Sequence, residues 1–415
     1  MVCSYPFRAA FSASIEVVVH RYSGTPLNRL ARRSPAHRVR LESVTYRAAE
    51  FFAGIGLVRS ALDRAGIEVV WANDIEPVKA RLYAANHPAG YFLLGDVRSI
   101  KGRTVPTVDL ATASFPCTDL SLAGWRRGLD GDQSGMFWEF ARVIGEMGSR
   151  RPSVVLLENV PALLSSKNGA DLREIVRQLN QLGYSCDLFQ MDARWFVPQS
   201  RLRLFIVGAR RPLLADRPTQ LDPTDPLRPP NLASFIERNR DLRWHRFPLA
   251  LPVRADRTLR DVLERFPPDH SVWWDDVRSG NFFRSLSDTQ AERVLTLQES
   301  HLITWRTAYR RTRRGIAVWE IRSDAVAGCL RTARGGSSKQ AVVEVGRGAA
   351  RVRWMTAREY ARLQGESDTF DFAGVSPNQV MFGFGDAVCV PAIAWIATEY
   401  LRPVLESAVV ERLGA

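Results

Sequence analysis

The stretch "TVDLATASFPCTDLSLAGWRRG" (residues 107–128) sets an apolar run against a polar, glycine-containing loop, with one cysteine at the joint. The run up to Phe115 reads as a buried strand, and Pro116 ends it because proline has no N–H to give to a sheet ladder. A cysteine kept for packing would sit more naturally inside the run. Cys117 instead stands just past its end, where open α/β sheets place their ligands. With an ordinary pKa of ~8.5 its thiol is mostly protonated at neutral pH, so reactivity would require a helix N-terminus, a cation or a proton acceptor nearby. Gly124, Gly128, Gly131 and Gly135 permit a mobile loop that closes over a substrate, with polar and cationic contacts from Ser121, Trp125, Arg126 and Arg127. A surface loop with an idle cysteine is the plain alternative.

The same alternation extends to both sides. "IEVVWAND" (67–74), "SVVLLENV" (153–160) and "RLRLFIVGA" (201–209) are short apolar runs. Between them lie the helix-like "GLVRSALDRAG" (56–66), "PVKARLYAANHP" (77–88), "MFWEFARVIGEMGSRR" (136–151) and "ADLREIVRQLNQLG" (170–183). Repeated β–α units predict an α/β fold with a mostly parallel sheet and helices on both faces. This first domain covers residues 45–217. The pattern breaks at "PTQLDPTDPLRPPNLA" (218–233), where the proline density marks a linker or boundary. Residues 218–345 form a second domain, irregular, rich in Arg and Trp, without a steady period. From 346 to 415, "MTAREYARLQG" and "VPAIAWIATEYL" resume helical patterns that would return to the first domain. Residues 1–44, with "RLARRSPAHRVR", read as a basic extension: a disordered leader or misassigned start ahead of a nucleic-acid-binding arm.

The chain has 415 residues, enough for two or three domains and a sizeable core. No apolar run approaches the roughly 20 residues that span a bilayer, and the N-terminus has no secretory pattern. The five cysteines are scattered, with no C-x-x-C pair and no Cys/His cluster. That argues against a disulfide framework and a metal site, and for a reducing cytoplasm. The net charge of +13 favours a polyanionic partner such as nucleic acid.

In "FFAGIG", residues 51–56, Gly54 and Gly56 make a tight strand-to-helix turn that backbone and ligand can share, although an ordinary βα turn reads equally well. The pattern is not G-x-G-x-x-G, so no pyrophosphate cradle is indicated. Asp74 ends the next strand at the position of an acid that accepts from a ribose diol, and Asp96, in "LLGDV", could meet the exocyclic amine of an adenine. A helix cap is the bland reading of either acid. Together they suggest a nucleoside cofactor without a phosphate bridge, and S-adenosylmethionine fits that description. Glu158, in "LLENV", ends a buried strand where desolvation would favour a held proton. Gln199, Arg201 and Arg203 share one face if they lie on a strand, and two guanidiniums aimed at one cleft suit a phosphate or a carbonyl oxygen.

With "FFAGIG", "FPC", "LLENV" and "QSRLR" in this order, and "RWMTAREYARLQG" and "QVMFGFGDAVCV" later, the sequence resembles the DNA (cytosine-5) methyltransferase family. The resemblance covers about 46–210 and 346–400. It implies a Rossmann-like S-adenosylmethionine-dependent methyltransferase domain plus a smaller target-recognition domain in the Arg/Trp-rich segment. It implies that Phe52, Ala53, Gly54, Ile55, Gly56, Asp74, Ile75, Asp96, Val97, Pro116, Asp386 and Ala387 line the cofactor pocket. By the same resemblance Cys117 is the nucleophile, Glu158 contacts the N3 and N4 edge of cytosine, and Arg201 and Arg203 hold the flipped base and steady the cysteine loop. Ser121, Asn159 and Gln199 join the substrate contacts. Glu50 stands where the family usually has Asp, Thr118 where it has Gln, and Asp386 where it has Asn. A carboxylate at 386 would repel the carboxylate of the cofactor's methionine group.

The expected activity is methyl transfer to C5 of cytosine in double-stranded DNA through a covalent bond from Cys117 to C6, on a base flipped out of the duplex. Arg310, Arg311, Arg313 and Arg314 should meet phosphates, with a solvated basic face as alternative. Lys339 and Gln340 could reach base edges. A tRNA/RNA cytosine methyltransferase on the same scaffold, a non-catalytic DNA-binding regulator, and a cysteine hydrolase are the competing readings. The last would want a histidine beside the thiol, and none lies near these strand ends. With no chromatin-reader module, the chain suits a bacterial restriction–modification or phage-defence enzyme. It would act in the cytoplasm at the nucleoid, with a cognate nuclease or other defence subunits as partners.

Overall fold

A computed structural model describes residues 45–116, 135–210, 224–313, 315–331 and 339–407. The first domain alternates as its sequence predicts: β1 (Tyr46–Phe51), α1 (Leu57–Arg64), β2 (Ile67–Asp74), α2 (Pro77–Asn86), β3 (Phe92–Leu94), β4 (Leu110–Ala113), α3 (Met136–Glu146), β5 (Val154–Asn159), α4 (Ala170–Gln181), β6 (Ser185–Asp192) and β7 (Leu202–Ala209). They form a seven-stranded sheet in the order β3-β2-β1-β4-β5-β7-β6. Every neighbouring pair from β3 to β5 is parallel, while β7 runs antiparallel to both β5 and β6.

Strands β4 and β5 are buried along their whole length. Such continuous apolar runs arise because helices cover both faces of the sheet. On one face Ala61 and Leu62 of α1 and Leu82 and Tyr83 of α2 share a core with Tyr360, Phe384, Ile393 and Tyr400 from the chain's end. On the other, Phe137 and Phe140 of α3 and Leu172 and Ile175 of α4 pack against Ala49 and Leu157.

Beyond 223 the chain forms α5 (Pro230–Arg238), α6 (Leu259–Val262), α7 (Asp276–Arg284), α8 (Asp288–Gln298), β8 (Thr304–Arg313), β9 (Ile316–Ile321), β10 (Ala341–Gly346), β11 (Ala349–Trp354), α9 (Ala357–Leu363), α10 (Pro377–Asp386) and α11 (Val390–Ile396). The segment whose sequence shows no period therefore holds an antiparallel four-stranded sheet, ordered β11-β10-β8-β9. Its small core carries Phe282, Val343 and Val352, with Trp274, Trp319 and Trp354 packed against it. Strand alternation is hidden on β11 because its arginines are covered: the Arg351 guanidinium sits 4.5 Å from the Trp273 ring centre and Arg353 is buried. Stacking of this kind lets a charged residue occupy a position that burial patterns assign to an apolar one.

The expected boundary between 345 and 346 runs through the β10–β11 hairpin. At the other edge, residues through Phe247 still pack on the first sheet: Arg228 pairs with Asp187 at 2.7 Å, Trp244 bridges to Cys186, and the rings of Phe247 and Tyr400 are 4.7 Å apart. The helical stretch Pro377–Ser407 is long and apolar enough by composition to cross a bilayer, yet 67% of its most apolar window is buried inside the protein. Its apolarity is that of a core helix.

Candidate active site

Strand order reverses between β1 and β4, so the crevice beyond their carboxyl ends is where this sheet can take a ligand. The turn after β1 carries Phe52, Ala53, Gly54, Ile55 and Gly56. Phe52, Gly54 and Gly56 all have positive φ, the left-handed region that glycine adopts freely and Phe52 occupies only under tertiary constraint. A Cβ on Gly54 would meet nothing within 4 Å, so the turn faces open space there. A Cβ on Gly56 would strike His87 and Tyr83 on α2, so that glycine serves packing.

Asp74 fixes the turn. Its carboxylate accepts from the Gly54 N–H at 2.8 Å and from the Glu76 N–H at 2.9 Å. It therefore braces the cradle from within, alongside any contact it makes to a ribose. Asn73, which the sequence reading passed over, donates to the carbonyls of Leu93 and Gly95 and ties β2 to the end of β3. Asp96 caps the turn that begins at buried Val97 and pairs with Arg98, whose guanidinium hydrogen bonds hold its carboxyl below the usual carboxylate range. An adenine amine at Asp96 would thus meet a carboxylate already held by a cation. Ile75 is exposed beside this rim and offers an apolar face. An open glycine turn, two strand-end acids and an exposed aliphatic side chain fit a nucleoside bearing an amino-acid group, as S-adenosylmethionine is.

The second half of the site lies at the carboxyl end of β5. Because β7 is antiparallel to β5, the start of β7 returns to this end, with Asn159 opposite Leu204 in register. That places Arg203 beside Glu158, with Nε 2.9 Å from Oε1. Asn159 is buried, donates to the Phe115 carbonyl at 3.2 Å and accepts from the Val160 N–H. It anchors the segment that leads to Pro116, the last described residue before Cys117. Cys117, Ser121, Thr118 and Arg314 lie outside the described residues.

Arg201 is placed differently from Arg203. It is buried and turned into the protein, where it donates to the carbonyls of Leu330, Gly385 and Ala387 and approaches the Cys329 Sγ at 3.4 Å. Its terminal N–H groups tie the segment at Leu330 and the chain's end to the start of β7, while its Nε has no partner. Gln199 also faces inward. Fully buried, it donates to the Leu363 carbonyl and accepts from the Leu330 N–H. Gln340 is also buried and closes a two-way clamp on Gly328. Lys339 donates to Asn378 at the start of α10. Arg310 is exposed on β8, and Arg311 next to it pairs with Glu320 at 3.0 Å. Arg313 ends the same strand.

One residue beside Arg201 and Arg203 escapes the sequence reading. Cys329 lies within reach of both arginines, 3.4 Å from Arg201 and 3.7 Å from Arg203. Burial works to raise its thiol pKa, but the two guanidiniums outweigh burial and hold it below the ordinary value. Only tertiary folding brings it there, through pairing of Gln199 with Ala327, and no local signal marks it.

Residues 46–402 match the family described as C-5 cytosine-specific DNA methylase. The chain is 27% identical over 361 residues to the Type II methyltransferase M.Bsp6I of Bacillus sp. (strain RFL6), covering 86% of this chain and 99% of that one. It is 26% identical over 258 residues to the orphan methyltransferase M.SPRI of Bacillus phage SPR, covering 61% of this chain and 57% of the relative. Among solved structures, the S. pombe Dnmt2 methyltransferase superposes with a TM-score of 0.52 at 17% identity, over 86% of this chain and 99% of that one, a likeness of fold. The open glycine turn, the Glu158–Arg203 pair and this match converge: the chain belongs to the C-5 cytosine-specific DNA methylase family, a DNA (cytosine-5) methyltransferase whose methyl donor is S-adenosyl-L-methionine.

Proposed function

We propose that the enzyme methylates a flipped cytosine through Cys117, with Glu158 and Arg203 working as one unit on the base. The observation that carries this reading is the ion pair of Arg203 and Glu158 at the end of β5, beside the backbone that leads through Phe115 and Pro116 to the cysteine. Cytosine C5 is a poor nucleophile. Addition of the Cys117 thiolate to C6 pushes the ring's electron pair toward C5 and N3, and Glu158 holds a proton at N3 as that charge develops. Arg203 fixes the carboxyl group in place. The bound cofactor supplies an electrophilic methyl group on a sulfonium. Loss of the C5 proton to a base then lets the ring electrons expel Cys117 and restores the aromatic system. Extrusion of the base costs a few kcal/mol, which contacts in the pocket must offset.

The four-stranded sheet and its flanking helices serve as the target-recognition part, with Arg310 and Arg311 on phosphates. The bacterial and phage origin of the relatives supports service in restriction–modification or phage defence, in the cytoplasm at the nucleoid and alongside a nuclease. The test is base-resolution mapping of 5-methylcytosine in DNA from cells that express the chain. A defined methylated sequence is expected, lost in Cys117→Ser while DNA binding persists. Wild-type methylation by that variant would refute the assignment.

A further inference from the structure

Asp386 is the last residue of α10, and its carboxylate pairs with the Lys79 ammonium on α2 at 3.0 Å. Helix α10 lies against the glycine turn. Gly383, one turn earlier on α10, packs so closely on Ile55 that a Cβ there would lie 2.8 Å from its side chain. The backbone on both sides of Asp386 is rigid, because Arg201 holds the carbonyls of Gly385 and Ala387 and Gln364 holds those of Phe384 and Ala387. Lys79 stands one helical turn past Asp74 and Glu76, whose charges join that of Asp386 in keeping it charged against the effect of burial. The side chains of Lys79 and Asp386 are 24% and 46% exposed, so a ligand in the turn can reach both.

A lone carboxylate at 386 would oppose an anionic ligand group. A carboxylate with an ammonium beside it presents one charge of each sign, the complement of an α-amino acid zwitterion. We propose that Lys79 and Asp386 together bind the amino-acid group of the cofactor, Lys79 facing its carboxylate and Asp386 its ammonium. The proposal rests on the reading of the glycine turn as the cofactor pocket, and adds Lys79 to it.

Isothermal titration of the full chain with S-adenosylmethionine and with 5′-methylthioadenosine, which lacks the amino-acid group, tests this. Lys79→Met should weaken S-adenosylmethionine by about 10- to 100-fold, the range of a hydrogen bond to a charged group, and leave 5′-methylthioadenosine within about twofold. Asp386→Asn should likewise weaken S-adenosylmethionine and spare 5′-methylthioadenosine, because it removes the charge that meets the cofactor's ammonium. The exchanged pair Lys79→Asp/Asp386→Lys should restore the melting temperature and not the S-adenosylmethionine affinity. Equal loss of both ligands in Lys79→Met, or full recovery of affinity in the exchanged pair, would make the contact a tie between α2 and α10 and overturn the proposal. Failure of the wild-type chain to bind either ligand would instead sink the reading of the turn itself.

Discussion

In the seven-stranded sheet the ionisable groups of the candidate site stand at strand ends, whereas in the four-stranded sheet arginines lie along strand faces. Asp74, Glu158 and Arg203 each follow or precede an apolar run and meet backbone amides or one another at the rim. Arg351, Arg353 and Arg311 occupy strand interiors, stacked on Trp273, paired with Glu359, or paired with Glu320. A rim charge is free to act on a ligand, because the scaffold beneath it is already apolar and satisfied. A face charge is part of the scaffold, and its removal is felt first as stability or as loss of surface charge.

The largest expected effect follows from the rim. Glu158→Gln keeps shape and removes the charge that Arg203 meets, so methyl incorporation into duplex DNA should fall about 10²- to 10⁴-fold, with an unchanged melting temperature. A fall in stability equal to the fall in activity would erase the distinction between rim and face.

Next come the two buried pairs, one associated with each sheet: Arg228 with Asp187 at 2.7 Å and Arg353 with Glu359 at 2.5 Å. Truncating one partner strands a buried carboxylate, so Arg228→Met and Arg353→Met should each cost about 3–5 kcal/mol in urea unfolding. A negligible cost for Arg353→Met alone would mean that the second sheet tolerates charge because it is wet.

Glu50 gives a pH-dependent effect spread over several pH units. It lies buried in β1 with neither carboxylate oxygen hydrogen-bonded, and burial pushes its pKa up to about 8, against the opposing pull of Arg59. The folded chain therefore binds a proton that the unfolded chain releases from about pH 4.5 upward. Stability should fall as pH rises across that window, by up to ~1.4 kcal/mol per unit, and Glu50→Gln should flatten the slope. An unchanged slope would show that water or a ligand satisfies Glu50.

The smallest effect belongs to the exposed face. Arg311→Gln should shift stability by less than ~0.5 kcal/mol and reduce the salt slope of DNA binding by about 0.9. An unaltered slope would make β8 a bystander.

The same contrast explains what could be read in advance. "SVVLLENV" and "TVDLATASF" announce β5 and β4 because both faces of each strand are buried and the polar residue comes at the end. Asp74 and Glu158 are legible for that reason. Gln199, Arg201 and Gln340 are not, since each looks like a polar rim residue and is swallowed by segments from more than a hundred positions away or, for Gln340, by the turn at Gly328. Strand β6 was missed because "SCDLFQMD" buries Asp187 and Gln190, which pattern alone assigns to solvent. Lys79 and Cys329 become visible only when Asp386 and the two arginines are brought to them.

Cys117 is the proposed nucleophile, and one trapping experiment tests that assignment. A duplex carrying 5-fluorocytosine at the methylated position cannot lose its C5 substituent as a proton, so the adduct formed in the presence of S-adenosylmethionine should persist. Peptide mapping should find it on Cys117. An adduct on Cys329, or none on a duplex that the enzyme methylates in its unfluorinated form, would contradict the account.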